Sequence, residues 1–271
     1  KFQVRDFKQM LQRFSLSIVG LVGLCCVAGY SQNLISIDKK LSEWGKELSS
    51  QPSNPMNVGL IWFINAHYKW FFALPVFIII ASPFIILAYK LGFKKYIHLY
   101  INYIFVLFIE LGLTGLTGEI FKASFQRPRP RQTIEFSLNP NDACLVPFVP
   151  AFTVNKNPNP CNTKFPSCPS GHVSAIWSIF LSSLITAKQL YQQLKHKKFS
   201  WIIILFYQLI LCFTFVCGAA VMMARIVVQA HFFTDVIGGA SLALLYSGFS
   251  QLFEPQVIDT KQYDNYKPLE T

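Results

Sequence analysis

Apolar runs long enough to cross a lipid bilayer recur along this chain, at about residues 14–37, 70–88, 96–116, 172–187, 201–223 and 232–253. Each approaches the roughly 20 residues that a hydrocarbon core about 30 Å thick demands of a helix. The fourth is the shortest and needs tilt or a locally thin bilayer. The expected fold class is therefore all-α: a polytopic membrane bundle of six transmembrane helices with an extracytoplasmic cap loop, in a single domain over residues 1–271. Composition agrees, with 52% hydrophobic residues and only 14% charged, against about 25% charged in soluble globular domains. The first run exceeds the 7–15 apolar residues of a secretory signal core and carries no small-residue cleavage site, so it reads as a span.

The formal net charge of +11 must sit in short loops and tails, where it reports topology. Lys1, Arg5, Lys8 and Arg13 precede the first run; Lys90, Lys94 and Lys95 lie between the second and third; Lys188, Lys195, Lys197 and Lys198 lie between the fourth and fifth. These stretches share the cytoplasmic side. The loop near residues 38–69 instead offsets Lys39, Lys40, Lys46 and Lys69 with Asp38, Glu43 and Glu47, as an outer loop does. Residues 1–13 space Phe2, Phe7, Met10 and Leu11 helically among basic residues, which fits a cytoplasmic interfacial helix or an extension of the first span. Leu41, Trp44 and Leu48 form a second amphipathic stretch suited to the outer interface.

Pro75 and Pro83 should kink the second span. Gly112, Gly115 and Gly118 in the third span and Gly238 and Gly239 in the sixth mark close helix approach. Residues 126–168 form a long loop rich in Pro and Asn, expected as an ordered extracytoplasmic cap. Within it, residues 147–152 are an apolar patch that packs in the loop, seals the site or meets acyl chains. Cys25, Cys26, Cys212 and Cys217 lie in spans and act as small apolar residues. Cys144, Cys161 and Cys168 lie in the outer loop, where an oxidising compartment favours one disulfide, expected between Cys161 and Cys168. Zinc is a poor alternative because no histidine stands at ligand spacing among them.

Three fragments carry chemistry, and the deduced topology puts all three on the outer side. Lys122 closes the third span and Arg129 follows seven residues later between Pro128 and Pro130, which stop the helix and stiffen the segment presenting the guanidinium. Arg127 and Arg131 read as headgroup anchors or contacts to a second phosphate. Ser170 and Gly171 open the fourth span, where unpaired amides and the helix dipole favour an anion, and His172 sits beside them. His231 and Asp235 are four residues apart at the start of a helix, so the carboxylate can accept one ring N–H and leave the other nitrogen to attack. Arg225 can close on the same anion. Read one by one, these groups could equally be an anchor, a helix start and a structural ion pair.

Together the fragments resemble the type 2 phosphatidic acid phosphatase (PAP2) superfamily, in its membrane branch. The family pattern is Lys, six residues, Arg-Pro; then Pro-Ser-Gly-His; then Ser-Arg, five residues, His, three residues, Asp. Lys122, Arg129-Pro130, Pro169-Ser170-Gly171-His172, Arg225, His231 and Asp235 match every spacing, and Ala224 replaces the usual Ser. The resemblance implies that His231 is the nucleophile that becomes phosphohistidine, Asp235 its orienting partner and His172 the general acid. It further implies that Lys122, Arg129, Ser170, Gly171 and Arg225 cradle the phosphate, and that neither a metal nor another cofactor is needed.

A site at the outer membrane surface points to a phosphorylated lipid as substrate and the membrane as partner, with no nucleic acid involved. Residues Cys161 to Cys168 ahead of Pro169 resemble the cysteine-containing lead-in of bacterial lipid A 1-phosphatases, which implies lipid A 1-dephosphorylation at the periplasmic face of a bacterial inner membrane. Undecaprenyl diphosphate, phosphatidylglycerophosphate and phosphatidic acid are the other candidate substrates. Transfer to a lipid acceptor, or a non-catalytic transporter or scaffold role, are the competing functions. Oligomeric state has no sequence signal.

Overall fold

The computed structural model describes residues 4–51, 53–55, 59, 94–139, 141–142, 144–156, 166–194 and 200–250. Six α-helices are described: α1 (Val4–Gly29), α2 (Ile35–Ser49), α3 (Lys94–Phe125), α4 (Gly171–Leu194), α5 (Ser200–Val227) and α6 (Phe233–Ser250). Five of the six expected spans are thus helices, and the second, at 70–88 with Pro75 and Pro83, lies outside the described residues. Helix α1 begins at Val4 and runs unbroken into the first span, so residues 4–13 extend that helix. Among the described residues there is no strand, only one isolated bridge between Thr133 and Val146 in the cap loop.

Helix α6 is the hub: it packs against α1, α3 and α4, and touches the ends of α2 and α5. Small residues permit this. A Cβ at Gly23 would stand 2.5 Å from the Ser241 hydroxyl, and one at Gly20 would stand 2.6 Å from the Ser241 carbonyl. Ser17 donates across the same seam to the Leu245 carbonyl at 2.7 Å. Backbones this close gain dispersion contacts that bulkier residues would forbid, which is how helices associate where lipid removes the hydrophobic drive. Gly238 and Gly239 play the expected part, the first against Phe152 and Pro169 and the second against Ser170 and Val173. Among the described residues, no atom lies within 4 Å of a Cβ placed at Gly112, Gly115 or Gly118.

Polar links tie α3 to its neighbours. Ser182 donates to Glu110 at 2.8 Å, Tyr103 pairs with Ser183 at 3.2 Å, and Thr117 pairs with Tyr246 at 2.5 Å. Outward faces are apolar instead, with Val22, Phe105, Leu116, Phe213 and Val216 each more than half exposed. This is the arrangement expected where lipid, not water, covers the surface.

Helix α2 departs from expectation. Its amphipathic face does not lie free at the interface: Leu41 and Trp44 pack on a core shared by Val173 and Ile176 of α4, Val221 and Ile226 of α5 and Val236 of α6. Asp38, Ser42, Gly45 and Leu48 recur at helical spacing along the buried side. Gly45 is what lets the helix approach, since a Cβ there would stand 2.7 Å from Gln229 Nε2 and 2.8 Å from the Ile226 carbonyl. Gln229 in turn donates to the Ser42 carbonyl at 2.8 Å. Gly45→Ala is expected to cost about 1–3 kcal/mol through overpacking and lower the melting temperature in detergent.

Candidate active site

The three sequence fragments converge at one end of the bundle, where α3 finishes, α4 begins and the α5–α6 connection turns. Helix α5 ends at Val227, and the chain reverses through Gln229, held at φ 54°. Such a left-handed conformation is disfavoured for a residue with a side chain. Three hydrogen bonds hold it: Gln229 donates to Ser42 as above, the Arg131 amide donates to the Gln229 carbonyl at 3.2 Å, and the His231 amide donates to the Arg225 carbonyl at 3.1 Å. Arg225 and His231 are thereby fixed to each other through the backbone.

His231 is buried, and its Nδ1 lies 2.7 Å from the Ser167 carbonyl. A carbonyl can only accept, so Nδ1 carries the ring proton and Nε2 presents the lone pair. The Asp235 carboxylate is 3.8 Å from Nδ1, beyond hydrogen-bond reach. This corrects the expectation that Asp235 takes the ring N–H. The tautomer is set by Ser167, and Asp235 acts on the ring as a nearby charge. Ser167 is itself pinned, its amide donating to the Arg127 carbonyl at 2.9 Å and its hydroxyl to the Pro128 carbonyl at 3.0 Å.

Asp235 is occupied elsewhere. Its Oδ2 accepts the Phe232 amide at 2.9 Å, its Oδ1 accepts Arg127 Nη1 at 2.5 Å, and its main-chain carbonyl accepts the Ser170 amide at 2.9 Å. The last bond joins the Ser170 turn to the first turn of α6. Arg127 is the second correction. It is no headgroup anchor: its side chain is 0% exposed, and it donates through Nε to the Val149 carbonyl at 2.7 Å, through Nη1 to Thr234 at 2.8 Å and through Nη2 to Asp38 at 2.8 Å. Its guanidinium lies 4.2 Å from the Phe232 ring centroid and 5.4 Å from that of Phe148. Thr234 donates its amide and its hydroxyl to Asp38, at 2.9 and 2.6 Å. Burial raises the Asp38 pKa, and the Arg127 charge opposes that rise.

The cations gather as expected. Lys122 Nζ stands beside Gly171, 3.6 Å from where a Cβ would be, and pairs with Glu119 at 2.6 Å. Arg225 and Arg129 lie near enough to His231 for their charges to act on it. Burial first, and then those cations, lower the His231 pKa to about 4, against the opposing pull of Asp235. The imidazole is therefore neutral at physiological pH. Ser170 is buried and its hydroxyl has no hydrogen-bond partner among the described residues. His172 is the second residue of α4, directly after Gly171. Ala224 is fully buried and supplies no hydroxyl.

Within residues 147–152, Ala151 is buried, Phe148 and Phe152 turn their rings inward and Pro147 is exposed. Phe148 makes edge contacts with Phe136 and Phe232, and Phe152 with Phe121 and Phe125, so the patch lids the buried charges. The cysteine expectation also needs correcting. Cys144 is disulfide-bonded, whereas Cys168 is a free buried thiol; Cys161 lies outside the described residues. Cys168 packs with Val27, Ala151 and Phe152, and burial first, then the neighbouring Asp235 charge, push its pKa far up against the pull of Arg127. Maleimide should accordingly leave Cys168 unlabelled in the folded protein and label it after denaturation. Cys144 should label only after reduction, as read by peptide mass spectrometry.

Comparison with known proteins agrees with this geometry. A family model described as the PAP2 superfamily matches residues 100–257. A crystal structure described as the first transmembrane PAP2 type phosphatidylglycerolphosphate phosphatase from Bacillus subtilis is similar in fold, with a TM-score of 0.53 and 18% sequence identity over 96% of this chain and 100% of that one. No curated protein matches the chain.

Proposed function

This chain belongs to the PAP2 superfamily, and from that premise we propose that it is an integral-membrane phosphatase that removes phosphate from a lipid through a phosphohistidine on His231. The observation that carries the reading is the state of His231: neutral, proton on Nδ1, lone pair on Nε2, and set among Arg225, Arg129 and the turn where Lys122 meets Gly171. In the first step the Nε2 lone pair forms a bond to phosphorus as the bond from phosphorus to the lipid oxygen breaks. That oxygen takes a proton from His172. In the second step His172 accepts a proton from water, the water oxygen attacks phosphorus, and the N–P bond breaks to return neutral His231 and inorganic phosphate. Lys122, Arg129, Arg225, the Gly171 amide and Ser170 stabilise the charge on the phosphoryl oxygens, each charge-assisted hydrogen bond contributing about 1.5–3 kcal/mol.

The basic tails and loops support a site on the outer face of a bacterial inner membrane. Lipid A 1-phosphate ranks first among substrates, on the lead-in from Cys161 to Cys168. That resemblance rests on sequence alone, because the expected Cys161–Cys168 clamp is not made. Phosphatidylglycerophosphate, named for the structural neighbour, is the first competitor, with undecaprenyl diphosphate and phosphatidic acid after it. Assay of the purified protein against these four lipids, with and without chelator and with and without an acceptor lipid, ranks the substrates. It also separates hydrolysis from transfer.

His231→Ala should reduce turnover by roughly 10³-fold or more at unchanged yield and melting temperature; near-normal rates would refute the assignment. The free-enzyme pH profile follows from the lowered pKa. Attack needs the neutral ring, so kcat/KM should hold through pH 6 and fall only as the pH approaches about 4, rather than near the ordinary histidine value of about 6.5.

A further inference from the structure

Two carboxylates share one guanidinium beneath the site. Asp38 on α2 and Asp235 on α6 are 1% and 0% exposed, and Arg127 between them is 0% exposed. Both Asp38 oxygens act as acceptors, Oδ1 from the Thr234 amide and Oδ2 from the Thr234 hydroxyl and Arg127 Nη2. Asp235 accepts from Arg127 and the Phe232 amide. With both acids as carboxylates, the cluster carries two negative charges against one positive. Asp38 lies outside all three sequence motifs, and the reaction as set out above gives it no task.

We propose that Asp38 is a positioning residue for phosphoryl transfer, acting through Arg127 and Asp235 to leave one uncompensated negative charge beside His231. The inference rests on His231 as the nucleophile. When Nε2 bonds to phosphorus the ring becomes cationic, and the adjoining cluster must accommodate that charge. Arg127 and Asp235 alone would form a neutral pair and offer the imidazolium little. Asp38 draws one arm of the guanidinium away and restores the net charge of the cluster to minus one. The geometry adds a mechanical part, since α2 holds both flanks of His231: Asp38 grips Thr234 on one side, and the Ser42 carbonyl holds Gln229 on the other.

The charges that act on the ring come from Asp235 on α6, Arg225 on α5 and Arg129 on the cap loop; behind Asp235 lie Arg127, Asp38 and the Cys168 thiol, and at the Gly171 turn Lys122 pairs with Glu119 on α3. Among these, Asp235 and Asp38 are the buried acids, whereas Glu119 is exposed to solvent and engaged with Lys122. Removing the Asp38 charge must therefore lower the affinity of His231 for a proton, whereas a purely structural defect need not.

The test uses the full chain in detergent with whichever of the four phosphorylated lipids it hydrolyses best, together with a titration of carbon-13-labelled histidine rings followed by NMR without substrate. Asp38→Asn should lower kcat by roughly tenfold, the equivalent of one pKa unit, leave KM within about twofold, and move both the acid limb and the ring titration to lower pH. Asp38→Glu keeps the charge, and Thr234→Val deletes a hydroxyl link while keeping every charge; both should leave the limb in place even if they melt earlier. An unshifted titration in Asp38→Asn overturns the proposal, as does a shift in Thr234→Val or Asp38→Glu as large as that predicted for Asp38→Asn. Should Asp38→Asn not fold, the latter two variants still decide. A shifted ring titration in Asp38→Asn, combined with a wild-type protein that hydrolyses none of the four lipids, would uphold the charge coupling and overturn only the phosphatase reading.

Discussion

A guanidinium with no exposure to water must have its donors satisfied by protein, and Arg127 imposes that condition on the end of the bundle where the three fragments meet. Taking a charge out of water costs several kcal/mol unless partners and geometry offset it. Arg127 finds its partners on α2, on the cap loop and on the first turn of α6, with two aromatic rings against its faces. Those segments are far apart in sequence, so satisfying this one side chain assembles them. Leaving any partner out would strand a buried charge, a penalty of about 3–5 kcal/mol. The described parts of the cap loop are held in place by these contacts, although they have little regular structure of their own.

The site inherits its order from that assembly. Ser167, which fixes the His231 tautomer, is held by the carbonyls of Arg127 and Pro128. Ser170, which opens α4, is held by the Asp235 carbonyl. The ring, the Ser170 turn and the buried ion triad therefore share one network of hydrogen bonds. Such a network can keep the reacting groups in place without relying on mobile surface side chains.

Much of this was legible in the sequence, and the part that was not has a common cause. Hydropathy located the helices because lipid demands long apolar runs, and the spacing of Lys122, Arg129, Ser170, His172, Arg225, His231 and Asp235 marked the site because side-chain chemistry is local information. What stayed hidden depends on pairings between distant segments. Asp38 is one acid at the end of an apolar run, and Arg127 looks like a second copy of Arg129 two residues later; only the fold shows that the first charge is buried with the second. The Ser167 carbonyl has no side-chain signature at all, so the sequence spacing credited its role to Asp235. Helix α2 reads as interfacial because its amphipathic face cannot reveal whether lipid or protein covers it, and Gly45 was the available clue. Three loop cysteines allow three pairings, and burial of Cys168 against Val27 and Ala151 is a tertiary fact.

On the proposed reading, a bound phosphate completes the electrostatics of the site. Without phosphate, burial first and then Arg225 and Arg129 keep the ring neutral, which preserves its lone pair but opposes the positive charge that the proposed attack requires. A bound phosphate group offsets those same cations, so their opposition falls when the N–P bond begins to form. Asp235, held 3.8 Å away rather than hydrogen-bonded to the ring, remains as the neighbouring negative charge at that moment. Under the proposed mechanism, such a site holds its nucleophile ready in the resting state and favours the cationic ring once a phosphate is in place. The same cations could not serve a neutral substrate, because nothing would then relieve their repulsion of the forming imidazolium.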